Sequence, residues 1–268
     1  MLSMFKDRST KLAVRGLSKV FPRKSGPLNV LEDINLDIMP GEFFVIVGAS
    51  GCGKTTLLRT IQGLEKPSTG SIELDGKPLV GPGQERGFVF QYDSLFPWRN
   101  TLDNVTFGLE VKNVPHAEAV DRAKRVIRLV GLAGFEESYP HELSGGMRQR
   151  VNLARAFAID PDILLMDEPF AALDALTRER MQQELMRIVE EAGKTVIFIT
   201  HQIDEAVLLA DRVAVLGARP GHVKEIVPIE FPRPRTLDLK RTPEFQKKVE
   251  AIWEMITEGK SAEGGHPH

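Results

Sequence analysis

Short runs of consecutive apolar residues alternate along the chain with stretches whose apolar positions recur every three or four residues. Phe43–Val47, Phe88–Phe90, Ile163–Met166, Val196–Ile199 and Val213–Leu216 are runs of the first kind, the pattern of strands covered on both faces. Residues 31–38, LEDINLDI, alternate instead, with Ile34, Leu36 and Ile38 on one side, which predicts a half-buried strand. SIELDGKPL, around Asp75-Gly76, reads as a hairpin. Leu57, Leu58, Ile61 and Leu64 have helical spacing after a glycine-rich stretch. Buried strands alternating with helices predict an α/β fold with a mostly parallel core sheet.

The middle of the chain follows another rule. From about Thr101 to Gly134 the pattern is helical, with Val120, Ala123, Ile127 and Val130 on one face. Residues 92–145 are therefore expected to form a helical subdomain inserted into a sheet domain spanning 11–230. Residues 231–268 are expected to form a connector and an amphipathic helix. PRPR at 232–235 reads as a stiff spacer. Thr242-Pro243-Glu244 reads as a helix start, with Thr as cap and Pro in the first turn. Phe245, Val249, Ile252, Trp253 and Ile256 should then form one apolar stripe, and the final SAEGGHPH should be frayed.

Composition narrows the function. The 268 residues carry 35 Lys+Arg against 37 Asp+Glu, a net charge of −2, which offers no basic field for nucleic acid. One cysteine excludes an internal disulfide framework and fits a reducing compartment. No stretch approaches the ~18 apolar residues of a membrane span, and MLSMFKDRSTK lacks the apolar core of a secretory signal. The protein is expected in the cytosol.

Gly48-Ala49-Ser50-Gly51-Cys52-Gly53-Lys54-Thr55 fits G-x-x-x-x-G-K-[ST] between an apolar strand and a helix. Glycines at these places let successive backbone N–H groups curl around phosphate oxygens, and the helix adds its positive end. Lys54 suits the β- and γ-phosphates, and the Thr55 hydroxyl suits Mg²⁺. Cys52 reads as a small residue; a reactive thiol is the alternative, because a helix N-terminus and a nearby Lys favour thiolate. Ile163–Met166 runs into Asp167-Glu168-Pro169, two acids at a strand's carboxyl end, where open α/β sheets bind ligands. Asp167 suits Mg²⁺ and Glu168 suits a base that orients water.

Leu143-Ser144-Gly145-Gly146-Met147-Arg148-Gln149-Arg150 carries a family resemblance. With the loop at 48–55, Gln91, Asp167-Glu168, Ala171-Ala172-Leu173-Asp174 and His201, in that order, the chain resembles the nucleotide-binding subunits of ATP-binding cassette (ABC) transporters over nearly its whole length. The resemblance implies a P-loop NTPase core with a mostly parallel sheet, an antiparallel β subdomain and an inserted helical signature subdomain. It implies head-to-tail pairing, a homodimer here. Each ATP lies between Gly48, Ala49, Ser50, Gly51, Cys52, Gly53, Lys54, Thr55 and Thr56 of one subunit and Ser144, Gly145 and Gly146 of the other. It implies Mg²⁺ at Thr55, Gln91 and Asp167, catalysis by Glu168, His201 and Gln91, and Phe21 as the adenine platform where the family usually has tyrosine, a core phenylalanine being the alternative reading of Phe21.

Phe90-Gln91-Tyr92-Asp93-Ser94-Leu95-Phe96-Pro97-Trp98-Arg99, Asp103-Asn104-Val105, Ala218–Gly221 and Phe231–Arg235 are similar to the subfamily importing nitrate, sulfonates, taurine and related solutes. That similarity implies separate membrane-spanning permease subunits, a periplasmic or lipid-anchored solute-binding protein, and a peripheral place on the cytoplasmic face of the membrane. Leu95–Trp98 reads either as a groove wall for a permease helix or as cement between sheet and helices. The rival functions are a soluble ABC-family ATPase acting on ribosome or DNA, and an exporter ATPase.

Overall fold

The computed structural model describes residues 10–91, 94–171 and 173–258. In chain order the elements are β1 (Leu12–Phe21), β2 (Leu28–Ile38), β3 (Phe43–Gly48), α1 (Lys54–Gln62), β4 (Thr69–Leu74), β5 (Lys77–Pro78) and β6 (Arg86–Val89). There follow α2 (Thr101–Val111), α3 (His116–Leu129), α4 (Gly145–Ala158), β7 (Ile163–Asp167), α5 (Ala175–Ala192), β8 (Thr195–Ile199), α6 (Ile203–Leu209), β9 (Arg212–Leu216), β10 (Val223–Pro228) and α7 (Pro243–Thr257). Two compact units result: Met1–Gly83 with Val189–His268, and Gln84–Ile188. No helix among the described residues is long and apolar enough to cross a membrane.

In the first unit, β3 pairs in parallel with β8 on one side and β9 on the other, and β10 closes the β9 edge antiparallel. All residues of β3 and β8 are buried, as the apolar runs predict. Phe43, Phe44 and Phe198 are among the largest fully buried side chains, each contributing about 1.5–3 kcal/mol. The register sets Ile46 beside Ile199 and Gly48 beside Leu216. The loops that follow β3, β8 and β9 therefore leave from one edge, the carboxyl end. A second, antiparallel sheet of order β2-β1-β4-β5 belongs to the same unit.

β1 and β10 escape the hydrophobic pattern for stated reasons. β1 is broken by Gly16 at φ 54 and by register shifts against β2, so its apolar positions keep no single period. β10 is an edge strand with exposed Lys224 and Glu225 and a terminal proline. At the C-terminus, the Thr242 hydroxyl caps α7, accepting from the Phe245 N–H at 3.4 Å, with Pro243 in the first turn. The apolar stripe is narrower than expected: Phe245 and Ile252 are buried, whereas Trp253 is 57% exposed. PRPR is not a bare spacer, since Arg235 is buried and both arginines bond to backbone. SAEGGHPH lies outside the described residues.

In the second unit, β6 and β7 pair in parallel, Arg86 beside Ile163 through Val89 beside Met166, with α2, α3 and α4 packed on one another. The helical stretch from Thr101 is two helices. Asn113 turns left-handed at φ 56 and Pro115 precedes α3, so the chain reverses between them. On α3 the buried stripe is Ala119, Ala123 and Ile127, continued by Val130, with Val120 half-buried.

Candidate active site

The first unit holds the phosphate loop. Gly53, at φ 97, is the residue before α1 and caps it with no side chain. A Cβ there would lie 2.7 Å from Leu31 Cδ2 and 3.1 Å from the Val30 carbonyl oxygen. Both the left-handed backbone and the close approach of β2 require glycine. The turn after β9 pairs with β2 at the same place: the Gly221 N–H donates to Val30 O at 2.9 Å, and the Glu32 N–H donates to Gly221 O at 2.9 Å. A Cβ on Gly221 would sit 2.0 Å from the Cys52 carbonyl oxygen. The loop thus rests on β2 and on a turn remote in sequence that pairs with β2. That support was invisible to motif reading, which singled out Ala218–Gly221 only as a likeness.

Lys54 is buried, and its ammonium donates to the carbonyls of Gly48 at 2.8 Å and Ala49 at 3.2 Å. Its charge therefore sits over the mouth of the loop. Ser50 and Gly51 are exposed at the tip, and Thr55 and Thr56 are half-buried on the first turn of α1. That turn carries no acidic residue, so its positive end is free to meet an anion. Cys52 is buried, and burial pushes its thiol above the ordinary range against the weaker pull of Lys54. This favours the small-residue reading over the reactive thiol. Phe21 ends β1 half-buried, with the Lys19 ammonium 4.6 Å from its ring centroid. Lys19 is itself held by Glu65 at 3.0 Å and the Lys66 carbonyl at 2.7 Å. His201 follows β8 and is exposed.

The second unit holds the acids and the signature. Asp167 is the last residue of β7 and is buried; Glu168 leaves the ladder at φ 45 and is half-buried. The change of backbone direction at Glu168 frees it from the alternation that would point the two carboxylates apart. The Gln91 amide nitrogen lies 3.4 Å from Glu168 Oε2, so the structure brings these two predicted residues together. Gln149 of α4 donates to the Phe90 carbonyl at 3.4 Å, tying the signature helix to the strand end that carries Gln91.

Ser144 is exposed and caps α4, its hydroxyl accepting from the Met147 N–H at 3.2 Å. No acidic residue occupies the first turn of α4 either. Gly145 is exposed and Gly146 half-buried, and a Cβ on Gly146 would meet Leu173 Cδ2 at 3.3 Å. Asp174 caps α5 through the Thr177 N–H at 3.0 Å; Ala172 lies outside the described residues. The Leu95–Trp98 cluster divides. Phe96 packs edge-on against Phe107 at 4.7 Å, while Trp98 is 72% exposed. Beside it lies a cavity of about 320 Å³ lined by Phe88, Phe90, Phe96, Phe107, Arg155 and Ile159 among others.

Residues 31–171 match the family model described as ABC transporter. Nitrate import ATP-binding protein NrtD of Synechocystis sp. is 46% identical over 251 residues, covering 91% of this chain and 94% of that protein. Taurine import ATP-binding protein TauB of Pseudomonas aeruginosa is 42% identical over 262 residues, covering 96% and 100%. A dimeric ATP-binding cassette in a post-hydrolysis state, bound to ADP and Pi, matches with a TM-score of 0.75 at 32% identity, covering 82% of this chain and 100% of that one. With its phosphate loop resting on β2, paired Gln91 and Glu168, and Ser144-capped signature helix, the chain belongs to the ABC transporter family.

Proposed function

We propose that this chain is the ATP-binding and ATP-hydrolysing subunit of an ABC importer, powering uptake of a small solute such as nitrate, a sulfonate or taurine. The observation that carries the chemistry is the Gln91 amide facing the Glu168 carboxylate, next to buried Asp167. The named relatives, both import subunits, favour import over export and over a soluble ribosome or DNA ATPase.

The phosphate loop from Gly48 to Thr56 cradles the triphosphate with backbone N–H groups, and Lys54 neutralises the β- and γ-phosphates. Thr55, Gln91 and Asp167 offer only oxygen ligands, a hard set that fits Mg²⁺. When bound, Mg²⁺ supplies positive charge to the phosphate oxygens. Gln91 orients the water. Glu168 takes the water's proton as its oxygen bonds to the γ-phosphorus and the bond to ADP breaks, releasing phosphate. His201 holds the γ-phosphate. Phe21 stacks on adenine with the ring face that Lys19 does not cover.

Ser144, Gly145 and Gly146 present an open helix N-terminus to the γ-phosphate held by a second copy, so the working unit is a head-to-tail homodimer. Permease subunits span the membrane, a solute-binding protein delivers the solute, and this subunit sits peripherally on the cytoplasmic face. Exposed Trp98 and the cavity beside Phe96 receive an apolar helix end of the permease. The test is phosphate release from Mg-ATP by the parent and by Glu168→Gln. The variant keeps the shape and loses the base, so its rate should fall about 10²–10⁴-fold. A near-parent rate would remove Glu168 from the mechanism.

A further inference from the structure

The chain after β10 takes no part in the chemistry above, yet it grips α6, the helix that opens two residues after His201. At the far end of α6, Arg235 donates through Nη1 to the carbonyls of Leu208 at 3.0 Å and Ala210 at 2.6 Å. Its other donors meet the carbonyls of Phe231 at 3.1 Å and Ile229 at 3.2 Å. Arg233 adds a bond to the Leu209 carbonyl at 2.9 Å and an ion pair with Asp211 at 2.9 Å. Carbonyls 208, 209 and 210, of the kind a helix end leaves without intrahelical partners, are thus closed by two guanidinium groups. At the near end, the Lys240 ammonium meets Asp204 in the first turn at 3.0 Å. Within the segment itself, the rings of Phe231 and fully buried Phe245 lie 6.0 Å apart.

Two features set this apart from ordinary capping. Arg235 is 7% exposed; burial, aided by the charge of Arg233, lowers its pKa to about 10. Holding a guanidinium there is costly unless its donors are used, and Arg235 uses them on four carbonyls. Moreover, α6 has only seven residues, too short to be stable alone, so its position depends on what holds it. The link to His201 is short and stiff. His201 is flanked by Thr200, whose hydroxyl accepts from the Gln202 N–H at 3.0 Å, and Gln202 precedes α6.

We propose that the segment from Phe231 to Thr257 sets the position of His201 through α6, with Arg235 as the positioning residue, so that ATP turnover depends on a C-terminal clamp. This rests on the reading of the chain as an ATPase. The test uses the full chain as parent, Arg235→Met, Arg235→Lys, Lys240→Met and His201→Ala. It follows Mg-ATP hydrolysis, ATP affinity, thermal unfolding and the ¹⁵N-histidine NMR spectrum, in which His201→Ala assigns the His201 signal among the six histidines. Arg235→Met should lower kcat about 10- to 100-fold, as misplacement of a reacting group does, keep ATP affinity within about twofold, and move the His201 signal. Arg235→Lys should recover part of the rate. Lys240→Met, which breaks a half-buried pair, should move the same signal and lower kcat by about twofold. Variants that melt earlier but keep kcat and the His201 signal overturn the proposal, leaving only a structural brace. Should Arg235→Met not fold, an unchanged His201 signal in both Arg235→Lys and Lys240→Met overturns it equally. A parent without turnover overturns the ATPase reading, and the His201 signal then decides the clamp by itself.

Discussion

Two helices of this chain have glycines at their starts, before the first residue in α1 and as the first two residues in α4, and they start in opposite ways. α1 begins after Gly53, a left-handed residue wedged against Leu31 and Val30, with Gly221 pressed on the Cys52 carbonyl. α4 begins after Ser144, an extended and exposed residue that caps its own helix and is followed by exposed Gly145. Both first turns lack acidic residues, so both present an uncompensated positive end. The first is built in advance for an anion, with Lys54 buried beside it. The second is open and supplies donors without a cradle. Under the proposed function, the same physical device would serve two tasks: binding within one chain, and sensing a nucleotide held by another.

That contrast is breakable. Lys54→Ala removes the buried cation of the prepared half and should weaken Mg-ATP binding by about 3 kcal/mol, roughly 150-fold, in equilibrium binding to the isolated chain. Phe21→Ala removes the stacking face on the same half and should weaken ATP by about 1–2 kcal/mol, read with a fluorescent nucleotide. An unchanged affinity would move the adenine platform elsewhere. Ser144→Ala touches the open half. It should lower unfolding stability by about 1 kcal/mol through the lost cap, seen in urea melts, and leave ATP binding to the isolated chain unchanged. If Ser144→Ala weakened that binding as Lys54→Ala does, the two halves would not differ in kind.

How much of this was legible in sequence follows from the same physics. β3, β7, β8 and β9 announce themselves because strands buried on both faces admit only apolar residues. The phosphate loop and the acid pair announce themselves because their backbone and charge demands leave few residue choices. What the pattern missed depends on partners far along the chain. β1 is held by its neighbours despite the break at Gly16. The break between α2 and α3 turns on a left-handed Asn113, which a helical period does not reveal. PRPR looks like a spacer until its arginines meet the end of α6. Trp98 and Trp253 carry an apolar signature but remain 72% and 57% exposed, since periodicity reports a face and not what covers it.

The central claim is that each chain holds two half-sites and that a complete one needs a second copy. Glu168→Gln tests it most directly, because that variant should bind ATP through an intact phosphate loop and then fail to hydrolyse it. Light scattering during size-exclusion chromatography, with saturating Mg-ATP, should give twice the chain mass for Glu168→Gln. It should give a single chain mass for the same protein with ADP, and for Glu168→Gln combined with Lys54→Ala in Mg-ATP. A Glu168→Gln chain that is saturated with ATP, inactive and still a single chain would contradict the account.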